Sequence, residues 1–233
     1  MLLGAPGSGK GTQAPALGRR LGLPHVATGD LFRAAVRDGS PVGLEARRYM
    51  DRGQLVPDDI TIRMLLDRLA QRDAAKGVVL DGFPRNRAQA ETLDEVLREQ
   101  GGKVELAVEI DVPAEELVHR LSGRWVCRDN GHVYNEASNP PRSPGKCDLD
   151  GSPLIQREDD KAETIRNRMA VTLSSLRDVV AYYRSTGVLR QINGVQPIDR
   201  VTAELLAIFP ADADAETDGS PDPKAPTVTD ARV

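Results

Sequence analysis

The sequence predicts an α/β fold of three layers, with a five-stranded parallel sheet between helices, one helical insertion and one small β insertion. Three observations predict it. Short apolar runs of strand length alternate with longer amphipathic stretches. A glycine-rich turn stands directly between the first apolar run and the first amphipathic stretch. Two segments, residues 28–57 and 123–159, interrupt the alternation.

The elements follow in chain order. Met1–Leu3 reads as the first strand, Gly11–Leu21 as the helix behind the glycine turn, and His25–Ala27 as the second strand. Residues 28–57 then carry Asp30-Leu31-Phe32-Arg33-Ala34-Ala35-Val36 and Glu45–Arg52, two short helices with no strand between them. Ile60–Lys76 is helical, Gly77–Leu80 is the third strand, Arg87–Gln100 is the next helix and Leu106–Val112 the fourth strand. Ala114–Ser122 is a helix that Pro113 opens at a first-turn position. Residues 123–159 hold Asn139-Pro140-Pro141, Pro144-Gly145 and Asp150-Gly151-Ser152-Pro153, a density of turn residues that no helix tolerates. A helix over Thr164–Leu173 and a fifth strand over Val188–Ile192 complete the core. The expected division is therefore a core of residues 1–27, 58–122 and 160–210, the two insertions, and an acidic tail over 211–233 that is poor in apolar bulk and expected to be disordered.

Composition narrows the function. Hydrophobic residues make up 39% and charged residues 28% of the 233, the balance of a folded globular chain. The 31 basic and 35 acidic residues leave a charge of -4, and the tail's six acids and two bases account for all of it. A formally neutral body offers no broad basic face, so nucleic acid is not an expected partner and any phosphate site is local. No apolar run approaches the roughly 18 residues of a membrane span, and no secretory apolar segment follows Met1. Membrane roles are not expected, and the cytoplasm is. Two cysteines, Cys127 and Cys147, are too few for a disulfide scaffold, and a bond between them is not expected in a reducing compartment.

Gly4-Ala5-Pro6-Gly7-Ser8-Gly9-Lys10-Gly11-Thr12 is the densest chemical signal. Its glycines let successive backbone N–H groups point at one anion, Lys10 adds a mobile positive charge, and the next helix turns its positive end to the same place. This is the phosphate loop, or P-loop, in its strand-loop-helix context. The hydroxyl that usually follows the lysine comes one residue late, at Thr12, because Gly11 intervenes.

That loop, together with Thr28-Gly29-Asp30-Leu31-Phe32-Arg33 and Asp81-Gly82-Phe83-Pro84-Arg85, resembles the nucleoside monophosphate kinases. Asn139-Pro140-Pro141 and Arg157-Glu158-Asp159-Asp160 in the second insertion make the likeness strongest to the long-lid adenylate kinases. The resemblance spans about residues 1–209 and implies reversible phosphoryl transfer from MgATP to AMP, giving two ADP. Such transfer needs little covalent chemistry and much positioning of polyanions, for which arginine's planar fork is suited.

The resemblance also implies roles. Gly7, Ser8, Gly9, Lys10, Gly11 and Thr12 cradle the donor phosphates, with Arg120, Val133, Tyr134 and Gln196 near the donor base. Arg33 and Arg85 hold the acceptor phosphate, and Arg124, Arg157 and Arg168 close over the transferring group. Thr28, Gln54, Leu55 and Val56, then Gly82, Phe83, Pro84 and Gln89, surround AMP, where the Gln89 amide offers an adenine edge both a donor and an acceptor. Asp81, at the carboxyl end of its strand, is expected to orient Mg2+ through bound water. Asp159 and Asp160 read equally as helix-start carboxylates or as partners of the lid arginines.

In many long-lid relatives a structural zinc sits at four spaced side chains. The corresponding positions here are Cys127, Asn130, Cys147 and Asp150, and Asn130 is a poor zinc ligand, leaving His132 as a substitute. Zinc and a metal-free hydrogen-bonded knot both stay open. Trp125 and Tyr134 are expected to pack the small lid core, while His25 and His119 read as satisfied or solvated histidines without a role. The first strand is about three residues shorter than the family usually shows. Residues 28–57 are expected to close over AMP and 123–159 over ATP, in a chain that works as a monomer, as in the family. Two other functions share these motifs: a GTP:AMP phosphotransferase, and a nucleotide sensor without catalysis.

Overall fold

The computed structural model describes residues 1–160 and 162–209. The tail over 211–233 lies outside them. Five parallel strands form the main sheet: β1 (Leu2–Leu3), β2 (His25–Ala27), β3 (Val79–Asp81), β4 (Ala107–Asp111) and, late in the chain, β8 (Leu189–Asn193). Their order across the sheet is β2-β3-β1-β4-β8, so the chain reverses its direction of winding at β1. Open α/β sheets bind ligands at the carboxyl edge beside that reversal, and the glycine loop leaves β1 there.

Helices cover both faces, as buried parallel strands require. They are α1 (Lys10–Leu21), α4 (Asp58–Leu69), α5 (Arg87–Glu99), α6 (Ala114–Ser122), α7 (Ala162–Ser185) and α8 (Ile198–Ile208). One core cluster joins Leu2, Val108 and Ile110 of the sheet to Leu17, Leu117, Ile165 and Leu205 of the helices. On the other side, Val26 and Leu80 pack with Leu65, Phe83 and Leu93. Pro15 sits inside α1 without ending it, because Ala14 and Leu17 on either side are buried against the sheet.

The first insertion is the helix pair α2 (Thr28–Arg37) and α3 (Pro41–Met50), started four residues earlier at its second helix than expected because Ser40 caps it by accepting from Gly43 N–H at 3.1 Å. Phe32, Ala46, Val56 and Ile60 form its separate small core. The second insertion is a three-stranded antiparallel sheet of β5 (Arg124–Cys127), β6 (Val133–Asn135) and β7 (Leu154–Ile155) in the order β6-β5-β7. Trp125 packs there against Cys127, Tyr134, Cys147 and Leu154, as expected.

Several boundaries differ from expectation. The helix expected over 60–76 ends at Leu69, followed by a 3-10 turn over Arg72–Ala74. The helix expected over 164–173 continues to Ser185, because Val179, Val180 and Tyr183 find a buried cluster beyond the Thr-Leu-Ser-Ser stretch that weakens its local propensity. Among the described residues no helix is long and apolar enough to cross a membrane.

Candidate functional site

A cleft of about 1040 Å³ opens at the carboxyl edge of the sheet, between the two insertions. The loop from Gly4 to Gly9 forms its floor, and all three of its glycines have positive φ. Gly7 requires that freedom twice over, since its φ is 86° and a Cβ would also stand 3.0 Å from the Leu117 carbonyl oxygen. Gly9 leads into α1 with no side-chain cap, and among the described residues the N–H groups of Lys10 and Gly11 have no backbone partner, whereas Thr12 N–H donates to the Gly9 carbonyl at 2.9 Å.

Lys10 Nζ bends back over the loop and donates to the carbonyls of Gly4 at 2.7 Å and Ala5 at 3.0 Å. Burial pulls its pKa down to about 8, against the attraction of Asp81. Asp81 ends β3 beside the loop, with an oxygen 3.7 Å from where a Gly11 Cβ would stand. Burial pushes the Asp81 carboxyl up, but His25 and Lys10 outweigh it and hold it below its ordinary value.

Six arginines line this cleft: Arg120 on the donor side, and Arg33, Arg85, Arg124, Arg157 and Arg168 around its middle. Arg85 is held through Nε, which donates to the Gly82 carbonyl at 2.8 Å. Burial, with Arg168 and Arg33 close by, lowers its pKa to about 10, and burial with Arg33 and Arg124 lowers that of Arg157 to about 9. Mutual depression of this kind marks a cavity with more positive than negative charge. Arg33 pairs with Asp30 at 2.5 Å.

Arg124 and Arg168 are fastened differently. The buried carboxylate of Asp160 accepts a forked pair of hydrogen bonds from Arg124, one of them from Nε at 2.6 Å, and a third from Arg168 Nη1 at 2.9 Å. Arg168 Nη1 also donates to the Asp159 carbonyl at 2.8 Å and lies 3.2 Å from the Asp159 carboxylate. Of the two readings of these aspartates, the structure places both against the arginines. Gly53 comes so close behind Arg168 that a Cβ would meet its Cγ at 2.6 Å.

The remaining expected residues divide between the cleft and its walls. Gln54, Leu55, Gly82 and Pro84 line the acceptor side, and Arg120, Val133, Tyr134 and Gln196 line the donor side with Ser8, Gly11 and Thr12. Arg120 is steadied by Glu116 at 2.7 Å and the Gly194 carbonyl at 3.0 Å. Thr28, Val56, Phe83 and Gln89 are buried just behind the surface. Thr28 donates to the Gly82 carbonyl at 2.8 Å, tying the start of α2 to the turn after β3. Phe83 and Val56 belong to apolar clusters.

Two histidines read as roleless line the cleft. His25 corrects that reading most clearly: its Nε2 lies 3.4 Å from Asp81 Oδ2 but is misaligned, and it is the one buried side-chain N or O atom without a hydrogen-bond partner among the described residues. A lone histidine at the start of a strand carries no sequence signal of this, because its neighbour Asp81 is 56 positions away.

At the far end of the lid, the ligand atoms of Cys127, His132, Cys147 and Asp150 all lie within 4.8 Å of one another. His132 Nδ1 is 3.2 Å from Cys147 Sγ, and Cys127 Sγ is 3.2 Å from an Asp150 oxygen. Asn130 stands against the same group, its backbone N–H donating to Cys127 Sγ at 3.4 Å and its side-chain amide to Asp150 at 2.7 Å. That hydrogen bond, with the Ser152 N–H, holds the Asp150 carboxyl well below the usual range. Both candidates for the fourth position stand at the group, His132 with a ring nitrogen toward Cys147 and Asn130 with its amide N–H on Asp150.

A sequence model of the adenylate kinase family matches residues 2–188. The chain is 48% identical over 209 residues to an adenylate kinase of Thermodesulfovibrio yellowstonii, covering 90% of this chain and 97% of that protein. It is 47% identical over 212 residues to one from Streptomyces griseus, with 91% and 97% covered. An adenylate kinase of Staphylococcus epidermidis is 44% identical over 209 residues, with 90% and 97% covered.

Proposed function

The chain belongs to the adenylate kinase family, and we propose that its cleft seats ATP over the glycine loop and AMP against the α2–α3 side, so that the terminal phosphoryl group passes in line between them. The reaction is reversible, and its products are two ADP. An AMP phosphate oxygen attacks the γ-phosphorus while the bond from that phosphorus to the bridging oxygen breaks, leaving ADP on the loop. The observation that carries this reading is the convergence of Lys10 and six arginines on one cleft whose floor is a phosphate loop.

Each residue's part follows from its anchoring. Backbone N–H groups from Gly7 to Thr12 hold the donor phosphates, and Lys10 swings from the loop carbonyls to the β- and γ-oxygens. Arg33 and Arg85 hold the AMP phosphate. Arg124, Arg157 and Arg168 offset the charge that spreads over the transferring oxygens. Arg120, Val133, Tyr134 and Gln196 bound the donor base, while Thr28, Gln54, Leu55, Val56, Gly82, Phe83, Pro84 and Gln89 shape the AMP pocket. Asp81, ionised beside the loop and oxygen-donating, suits a hard cation. Mg2+ bound with ATP would neutralise phosphate charge, and Asp81 is the residue that would hold it through water.

Water must be kept from the γ-phosphate, which assigns work to the insertions. Residues 28–57 fold over AMP and 123–159 over ATP, on the frame of residues 1–27, 58–122 and 160–210. The distal lid group offers donors that suit a structural zinc: two cysteine sulfurs, an imidazole and a carboxylate within 4.8 Å of one another, with Asn130 donating to Asp150 beside them. Zinc there would hold the lid's three strands together. Purified chain is then expected to carry about one equivalent, and a chelator to lower its melting temperature. A cleft complete within one chain supports a monomer, and the buried thiols suit the cytoplasm.

The test is nucleoside diphosphate production from AMP and Mg2+ with ATP or GTP as donor. Rapid conversion with ATP, lost in Lys10→Ala, is the expected outcome. Conversion several-fold faster with GTP, or none with either, would overturn it.

A further inference from the structure

Gln89 is 1% exposed, and its side-chain amide is held from both sides by groups of one polarity. The backbone N–H of Arg85 donates to Oε1 at 2.7 Å. Nε2 donates to Oδ1 of Asp58 at 2.7 Å. An N–H can only donate and a carboxylate can only accept, so the amide has one permitted orientation. Asp58 is itself fixed: it stands in the first turn of α4, where the helix N-terminus favours a carboxylate, and Asn86 Nδ2 donates to both of its oxygens at 3.0 Å. Asn86 is in turn oriented, because its Oδ1 accepts the Gln89 backbone N–H at 2.8 Å as the cap of α5.

An amide oxygen has two lone pairs and an amide nitrogen two hydrogens. One of each is spent here, and one of each is left, with Oε1 on the Arg85 side and Nε2 on the Asp58 side. A 6-aminopurine presents an N6–H donor beside the N1 acceptor, which completes that pair. A 6-oxopurine presents an O6 acceptor beside an N1–H donor, the reverse. To receive it the amide would have to turn over, setting Nε2 against the Arg85 N–H and Oε1 against the Asp58 carboxylate, two contacts between like charges.

We propose that Asp58 is a positioning residue that sets the polarity of the Gln89 amide, and thereby selects 6-amino over 6-oxo purine monophosphates as phosphoryl acceptors. The inference rests on the reading that Gln89 meets the acceptor base. Asp58 touches no substrate; it acts through Gln89 across 31 positions of sequence.

The experiment compares AMP and inosine monophosphate as acceptors with MgATP, in Asp58→Ala, Gln89→Met and the double variant. In Asp58→Ala, kcat/KM for AMP is expected to fall roughly tenfold or more while that for inosine monophosphate holds or rises, with KM for ATP unchanged. In the Gln89→Met background, Asp58→Ala is expected to leave the AMP preference where it was, since the residue through which it acts is gone. Asp58→Asn, which keeps the side-chain volume at the start of α4, is measured beside it and shifts the preference in the same direction. A purely structural role would lower both acceptors by one factor and would overturn the proposal, as would an unchanged preference. A Gln89→Met variant with unaltered AMP preference would instead overturn the placement of Gln89 at the base.

Discussion

Two sets of cations face the cleft, and they are held in opposite ways. Lys10 and Arg85 are anchored to backbone carbonyls, those of Gly4, Ala5 and Gly82, and among the described residues neither has a carboxylate within 4.0 Å. Arg124 and Arg168 are clamped by Asp160, whose side chain is fully buried, and Arg168 also by Asp159. Carbonyls fix position without a full opposing charge, so the first set keeps more of its attraction for phosphate, offset in part by the more distant Asp81, and bears the cost of desolvation in the empty protein. The carboxylate clamp cancels charge but holds two arginines from separate parts of the chain in one geometry. Attraction is thus assigned to the loop and the turn after β3, and alignment to Asp159 and Asp160.

Removing a member of the first set should give the largest loss of activity and the smallest loss of stability. Arg85→Met is expected to lower kcat/KM by about a thousandfold or more, the scale of a phosphate-facing arginine, with a melting temperature that holds or rises. A fall in melting temperature of several degrees would break the distinction. Asp160→Asn should reverse the pattern. Opening a buried pair is expected to cost about 3 kcal/mol of stability by denaturant titration, with activity down roughly tenfold as Arg124 and Arg168 lose their alignment. Gly53→Ala tests the same clamp from behind, since φ is +67° and a Cβ would press on Arg168. It is expected to cost about 1–2 kcal/mol, with a smaller effect on rate.

The smallest effect is a pH dependence with two opposite signs. Lys10 titrates near 8 in the folded chain and near its ordinary 10.5 when unfolded. Below pH 8 it is charged in both states, and its desolvation weighs fully on the fold; between 8 and 10.5 the folded state releases the proton first and that weight lifts. The stability of the unsubstituted protein relative to Lys10→Met should therefore rise across this window. KM for ATP should rise across it too, because the phosphates need the charged form.

What could be read from the sequence follows the range of the interactions. The glycine loop was legible because its residues are adjacent and each spacing has a backbone reason. The five strands and both insertions were legible from the change between apolar runs and turn-rich stretches. Helix lengths were less so: α7 runs past Leu173 because Val179 and Tyr183 are buried by distant elements, a fact no local window holds. The arginines were found by resemblance, but which carboxylate holds which arginine was not, since Asp160 lies 36 positions from Arg124. The same distance problem hid His25 beside Asp81 and Asp58 behind Gln89. In the lid the spacing pointed at Asn130, and the turn after Cys127 carries His132 into the ligand group as well.

The claim that Lys10 waits in the empty cleft with its charge incompletely compensated is tested most directly by calorimetry of MgATP binding at pH 8.5, without AMP, in buffers of different ionisation enthalpy. Roughly half a proton or more should be taken up per ATP bound, as the phosphates restore the lysine to its charged form, and the uptake should vanish in Lys10→Met. Binding with no proton uptake, or with the same uptake in both proteins, would contradict the account.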